Sequence, residues 1–158
     1  MLAYVFWHRP KADVDRDAYE AAQRAFHETI AVPSGCFRLD ALPFDQGGGY
    51  EDWYLVENWA ELGALNEVAT DSASRGGHDR AAELAADGWG AVYALAHGPT
   101  EIPIGVEWRD KERGRPSADF LDSLPSVAVW RRQLVLGPAP EFCIATSETA
   151  GRTPIWPS

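Results

Sequence analysis

The sequence predicts an α+β fold in which antiparallel strands are covered by amphipathic helices. Three observations predict it. Aromatic and aliphatic runs of strand length alternate with stretches that repeat at helical spacing, glycine and proline punctuate the boundaries, and 158 residues suit one compact domain. Hydrophobic residues make up 46% of the chain, which excludes wholesale disorder. The 14 Lys+Arg against 24 Asp+Glu leave a net charge of −10. An acidic surface repels phosphate, so neither nucleic acid nor an anionic membrane is expected as a partner. Seven Trp, five Tyr and six Phe must fill a core, line a pocket or form an interface.

Leu2 to His8 is rich in Tyr, Val, Phe and Trp and reads as a strand covered on both faces. Asp15 then caps a helix running to about Ile30, with Tyr19, Ala22, Phe26 and Ile30 on one stripe. Cys36 to Phe44 and Tyr50 to Glu57 are strands joined by the flexible loop Asp45-Gln46-Gly47-Gly48-Gly49. Asn58 with Glu61 forms a capping box for a second helix carrying Leu62, Leu65 and Ala69. A short helix follows His78-Asp79, and Trp89 to Ala96 is a fourth strand. The order is β-α-β-β-α-β, the split βαβ pattern of a ferredoxin-like unit, over residues 1–97.

A partial second unit, β-α-β-β, occupies residues 104–147: strand Ile104 to Arg109, helix Pro116 to Leu124, and strands Ala128 to Leu136 and Glu141 to Ser147. Its opening, Val106-Glu107-Trp108-Arg109-Asp110, rhymes with Val5-Phe6-Trp7-His8-Arg9. The alternative is an unrelated three-strand extension. Residues 148–158 read as a loosely ordered tail that Ile155 and Trp156 could dock.

Period-two alternation divides the first sheet into two faces. Ala3, Val5, Trp7, Phe37, Leu39, Trp53 and Leu55 form the more apolar face, to which the helices are assigned together with Val92, Ala94 and Ala96. The opposite face collects Tyr4, Phe6 and His8, then Cys36, Arg38 and Asp40, then Asp52 and Tyr54, and finally Trp89 and Tyr93. It is too apolar for plain surface and too polar for an ordinary core, so it needs a second sheet or a pocket.

The layout resembles the dimeric α/β-barrel superfamily. In the stretch Trp53-Tyr54-Leu55-Val56-Glu57-Asn58-Trp59-Ala60-Glu61-Leu62, a strand is followed by an acidic residue and a helix that begins near a Trp. The resemblance implies antiparallel ferredoxin-like sheets packed as an α/β barrel, and a homodimer. It also implies cofactor-free monooxygenase chemistry as one option, with Asn58, Trp59 and a suitably placed Arg, here Arg38, holding a phenolic substrate. Fold alone does not choose the reaction.

His8, at a strand end on the polar-aromatic face, is the best lone candidate for general acid–base work. A strand-end His bonded to a loop is the structural alternative, and Asn58 with Glu61 serves equally as a helix cap. The candidate catalytic residues are His8, Asn58 and Arg38. The candidate ligand-binding residues are Tyr4, Phe6, Asp40, Tyr54, Trp89, Tyr93 and Arg131. Arg131 and Arg132 lie on opposite faces of one strand, and an ion pair with Glu107 or Glu141 competes with any ligand role. No H-x-H, H-E-x-x-H, P-loop or nucleophile-elbow spacing is present, so no metal and no cofactor is expected. Cys36 and Cys143 form no C-x-x-C pair and read as two buried thiols, with one long-range disulfide as the alternative. The opening apolar run is too short for a signal-peptide core, and a cytoplasmic location is expected. The functional expectation is a pocket between sheets for a small aromatic or apolar molecule. A cofactor-independent monooxygenase and a non-enzymatic dimerisation protein are the alternatives.

Overall fold

The structure, a computed structural model, describes residues 1–70, 75–135 and 137–157. Leu136 and Ser158, the ends of the expected strand and tail, lie outside the described residues. The first half forms β1 (Leu2–Pro10), α1 (Arg16–His27), β2 (Ser34–Leu39), β3 (Gly49–Val56), α2 (Trp59–Thr70), α3 (Arg75–Leu84) and β4 (Ala85–His97). The second half forms β5 (Gly105–Arg109), α4 (Ser117–Asp122), β6 (Val129–Val135), β7 (Phe142–Thr146) and β8 (Arg152–Trp156). Among the described residues no helix is long and apolar enough to cross a membrane.

The first two helices start where the sequence places their caps, whereas α3, expected after His78-Asp79, already contains both residues, and α4 has no side-chain cap. Asp15 accepts from the Ala18 N–H at 3.1 Å and opens α1. Asn58 accepts from Ala60 and Glu61 N–H at 2.9 and 3.1 Å, while Glu61 reaches back to the Glu57 N–H at 2.5 Å. Each such cap is worth about 1 kcal/mol.

All eight strands join one antiparallel sheet in the order β5-β7-β6-β4-β1-β3-β2-β8. The sheet curls strongly: the Trp7 ring on β1 meets the Trp108 ring on β5 at 5.1 Å, although β4, β6 and β7 lie between them. Ala3, Val5, Trp7, Phe37, Trp53, Tyr93 and Trp130 fill the concave side. Within it the buried Glu51 carboxylate accepts from the indole N–H groups of Trp7, Trp53 and Trp108 at 2.8, 2.7 and 3.0 Å, and from Arg152 Nη2 at 2.8 Å.

Two expectations are corrected here. The helices of the first half cover the Tyr4, Phe6 and Tyr54 face, not the Ala3, Trp7 and Trp53 face. The more apolar face is instead buried by the curl of the sheet itself, so both faces of β1 are covered. On β4 the residues opposite Tyr4, Phe6 and His8 are Val92, Gly90 and Gly88. A Cβ at Gly88 would come within 2.3 Å of the Phe6 ring, and one at Gly90 within 2.7 Å of the Tyr4 hydroxyl. Those glycines let the two aromatic side chains lie across β4. Secondly, the expected tail is not loose. Residues Arg152–Trp156 pair antiparallel with β2 and form an edge of the sheet.

Candidate functional site

A cavity of about 750 Å³ lies between the convex side of the sheet and α1, α2 and α3. Tyr4, Phe6, His8, Asp52 and Tyr54 form its sheet wall; Tyr19, Gln23 and Phe26 of α1 and Leu62, Leu65 and Ala69 of α2 complete it. Trp59 and Leu134, both about half exposed, stand at its edge.

Alternation along β3 sends Glu51 inward and Asp52 to the helix side, beside Cys36 of β2 and Phe6 of β1. A buried carboxylate needs partners, and Asp52 has several. Its Oδ2 accepts from His8 Nε2 and from the Tyr54 hydroxyl, both at 3.1 Å, and His27 Nε2 lies 3.2 Å from Oδ1. Burial alone would raise the Asp52 pKa. The adjacent His8 and His27 imidazoles outweigh it and hold the group well below the usual carboxylate range.

His8 is held at both nitrogens. Because ionised Asp52 only accepts, Nε2 is the donor toward it, and Nδ1 meets the Tyr19 hydroxyl at 2.5 Å. The ring stacks on Tyr50 at 5.5 Å and on Phe6 at 5.7 Å. His27 is oriented by Ser34 Oγ at 2.9 Å and stacks on Tyr54 at 5.3 Å. Burial, and secondarily the Asp52 charge, push the phenols of Tyr19 and Tyr54 and the thiol of Cys36 up, so all three stay protonated at rest.

His8, Cys36 and Asp52 offer three ligand atoms within 4.8 Å of one another, a set that could hold a cation. In this arrangement His8 has a partner at each nitrogen, whereas His27 Nε2 and Asp52 Oδ1 lie 3.2 Å apart without the geometry of a hydrogen bond.

Of the residues predicted from the sequence, His8, Tyr4, Phe6 and Tyr54 come together at this cavity. The others do not join them. Asn58 spends its side chain capping α2, and Arg38 pairs with Glu20 at 2.6 Å. Asp40 is exposed beyond the end of β2, and Arg131 is exposed on β6. Trp89 and Tyr93 lie on the concave side, Trp89 against Phe44 at 5.3 Å and Tyr93 donating to the Pro140 carbonyl at 2.7 Å. The cavity therefore sits between sheet and helices rather than between sheets. Tyr19 and His27, from α1, are functional candidates that strand alternation does not reach, and Asp52, which alternation places on the right face, was not among the candidate site residues. The available signal is Glu51-Asp52 itself, two adjacent acids inside the aromatic strand Tyr50 to Tyr54.

With this geometry in hand, comparison with known proteins returns nothing: no family model, no curated protein and no solved structure matches the chain.

Proposed function

We propose that the protein binds a small, largely apolar molecule with an aromatic ring in the cavity under α1, α2 and α3. The observation that carries this is the cavity: about 750 Å³ in volume, walled by aromatic and aliphatic side chains. Tyr19, His8 and Asp52 form one hydrogen-bonded group along it, and Gln23, Asn66, His78 and Asp87 also line it. That volume lies within the range of about 300–1,000 Å³ common to small-molecule sites. Monooxygenase chemistry resting on Asn58 finds no support in the geometry, since that side chain faces the α2 backbone.

We also infer a two-unit architecture related to the α/β barrels. The first unit's strand order, β4-β1-β3-β2, is that of a ferredoxin-like sheet. Advancing each strand number by four carries the pairs β1–β3, β2–β3 and β4–β6 onto β5–β7, β6–β7 and β8–β2, which all occur, whereas β1–β4 has no counterpart because β5 and β8 are the two edges of the sheet. On this reading the second unit covers, within one chain, edges that a second copy would cover in a homodimer.

Titration with 1-naphthol, followed by tryptophan fluorescence, tests the binding proposal. A saturable change is expected, and Gly63→Trp should abolish it. Gly63 lines the cavity with open space where its Cβ would be, so the indole can occupy the mouth without a clash at the backbone. Equal affinity in both proteins would place the ligand elsewhere and overturn the proposal.

A further inference from the structure

We propose that His8, Cys36 and Asp52 hold a divalent transition-metal ion, zinc by its chemistry, behind the sheet wall of the cavity. Strand register brings the donors together. Cys36 of β2 and Phe6 of β1 both stand opposite Asp52 of β3, and His8 lies two residues along β1 on the same face. Residues directly opposite across a ladder have Cβ atoms about 4.5–5.5 Å apart, and diagonal neighbours stay within reach of a long side chain. One ring nitrogen, the sulfur and one carboxylate oxygen accordingly fall within 4.8 Å of one another. All three residues are buried, and paired strands rather than loops fix their positions.

Two further observations point to a cation. The first is charge. Glu51 and Asp52 are both buried acids, and Glu51 has a permanently charged partner, Arg152 at 2.8 Å. Among the described residues the ion pairs of Asp52 are with His8 and His27, whose rings carry no permanent charge. The second is an unused lone pair. Asp52 Oδ1 is buried and, among the described residues, accepts no hydrogen bond; His27 Nε2, 3.2 Å away, is equally without one. A buried carboxylate oxygen in that state costs free energy, which a positive ion on the same carboxylate offsets.

The donor set selects the ion. Thiolate, imidazole and carboxylate together suit zinc, whereas magnesium and calcium take oxygen ligands. His8 Nε2 and Asp52 Oδ2 lie 3.1 Å apart. Nitrogen and oxygen ligands at about 2.0–2.1 Å on a tetrahedral zinc are separated by about 3.3 Å, so the ion enters between these two atoms with little movement. The partner given up by Nε2 is itself a ligand, and no outside hydrogen bond is lost there. His8 binds as the tautomer with its proton on Nδ1, facing the Tyr19 hydroxyl, which accepts as readily as it donates. The Tyr54 hydroxyl, 3.1 Å from Oδ2, holds the carboxylate in place. Binding releases the Cys36 proton to solvent. One thiolate and one carboxylate then balance the two positive charges, so the buried group is neutral overall. Water takes the fourth position, arriving through the cavity that His8 and Asp52 line. The ion ties β1, β2 and β3 together, whatever the cavity binds.

The test strips the reduced protein with EDTA and titrates it with Co²⁺, then with Zn²⁺. Cobalt should saturate at one equivalent, with a sulfur-to-cobalt charge-transfer band and the visible bands of a tetrahedral ion, and zinc should displace it. Cys36→Ala should lose the charge-transfer band. Cys143→Ala removes the other buried thiol, on the concave side, and should keep it. His8→Gln and Asp52→Asn should each weaken zinc by at least about tenfold, the loss that even an outer hydrogen-bond partner of a ligand causes. X-ray absorption of the zinc-loaded parent needs no variant. One sulfur at about 2.3 Å and lighter ligands at about 2.0–2.1 Å are expected. A stripped parent that takes up neither metal overturns the site, as does a charge-transfer band that survives in Cys36→Ala. Unchanged zinc affinity in His8→Gln or Asp52→Asn, or a zinc shell of nitrogen and oxygen alone, overturns it as well.

Discussion

Glu51 and Asp52 are consecutive residues that organise opposite sides of the sheet, one inside a cage of three indoles and an arginine, the other between two imidazoles. The Asp52 environment has a pH consequence whose sign is fixed. Its native pKa is depressed, so its contribution is fully present above the unfolded carboxyl value of about 3.9 and declines as pH falls below it. There the unfolded chain takes up the proton before the native one, at about 1.4 kcal/mol per pH unit. Urea unfolding at pH 5 and pH 3 should give a steeper loss in the parent than in Asp52→Asn, which has no proton to bind. Equal losses in the two proteins would mean that Asp52 is not stabilised as the anion. At this scale the sequence was only partly legible. His8, Tyr4, Phe6 and Tyr54 are recognisable because alternation places them on one face with a mixed character. Tyr19 and His27 come from a helix, and nothing in the strand pattern reports which helical residues land opposite which strand. Asp52 shares that face as well, but its centrality depends on two histidines distant in sequence meeting at one carboxylate.

The elements were more legible than their faces. Asp15 and the Asn58–Glu61 pair mark the starts of α1 and α2 because capping is local chemistry, decided by residues within one turn. Which face the helices cover is not local. The usual inference gives helices the more apolar face, and it holds when the other face meets solvent. Here the other face is buried by the curl, so the large rings Trp7, Trp53 and Trp130 go inside and the helices take the mixed face. Of the small β4 residues assigned to the helices, Val92 and Ala94 do pack with Leu62 and Leu65 of α2, while Ala96 is exposed. The α2 helix is the least buried of the three cavity helices, with Trp59 and Val68 exposed at 53% and 46%. Gly63 lies in its middle with nothing within 4 Å of its Cβ position. Gly63→Ala should therefore stabilise the protein by about 0.5–1 kcal/mol through helix propensity and leave 1-naphthol affinity nearly unchanged. Urea denaturation checks the first and fluorescence titration the second. A destabilised Gly63→Ala would show that α2 needs the glycine for its approach to a neighbour.

For the whole molecule the decisive strand is the one the sequence conceals. Arg152–Trp156 contains a proline and follows Thr149 to Gly151, a composition that reads as a tail, and its pairing with β2 joins segments far apart in the chain. Long-range pairing of this kind leaves no local pattern, because β8 needs only an edge to join. Once joined, it does more than extend the sheet. Arg152 reaches Glu51 with two nitrogens, lies over the Phe37 ring at 3.3 Å, and donates to the Pro103 and Ile104 carbonyls just before β5. It thus spans the interval between the two ends of the curled sheet, β8 and the approach to β5. Removing residues 149–158 should expose the β2 edge, strip Glu51 of its cationic partner and open the concave core together. Breaking a buried ion pair from one side costs about 3–5 kcal/mol by itself, against a typical total stability of about 5–15 kcal/mol. The truncated chain should accordingly lose its cooperative thermal transition, or aggregate, as read by circular dichroism and size-exclusion chromatography. Arg152→Met separates the two contributions: it keeps the strand and removes the guanidinium with its hydrogen bonds, and should still fold while melting well below the parent. A truncated protein that melts within about 2 °C of the full chain, less than about 1 kcal/mol at this size, would show that the curl closes without β8. Arg152 would then be a passenger on the edge strand rather than the link between its ends.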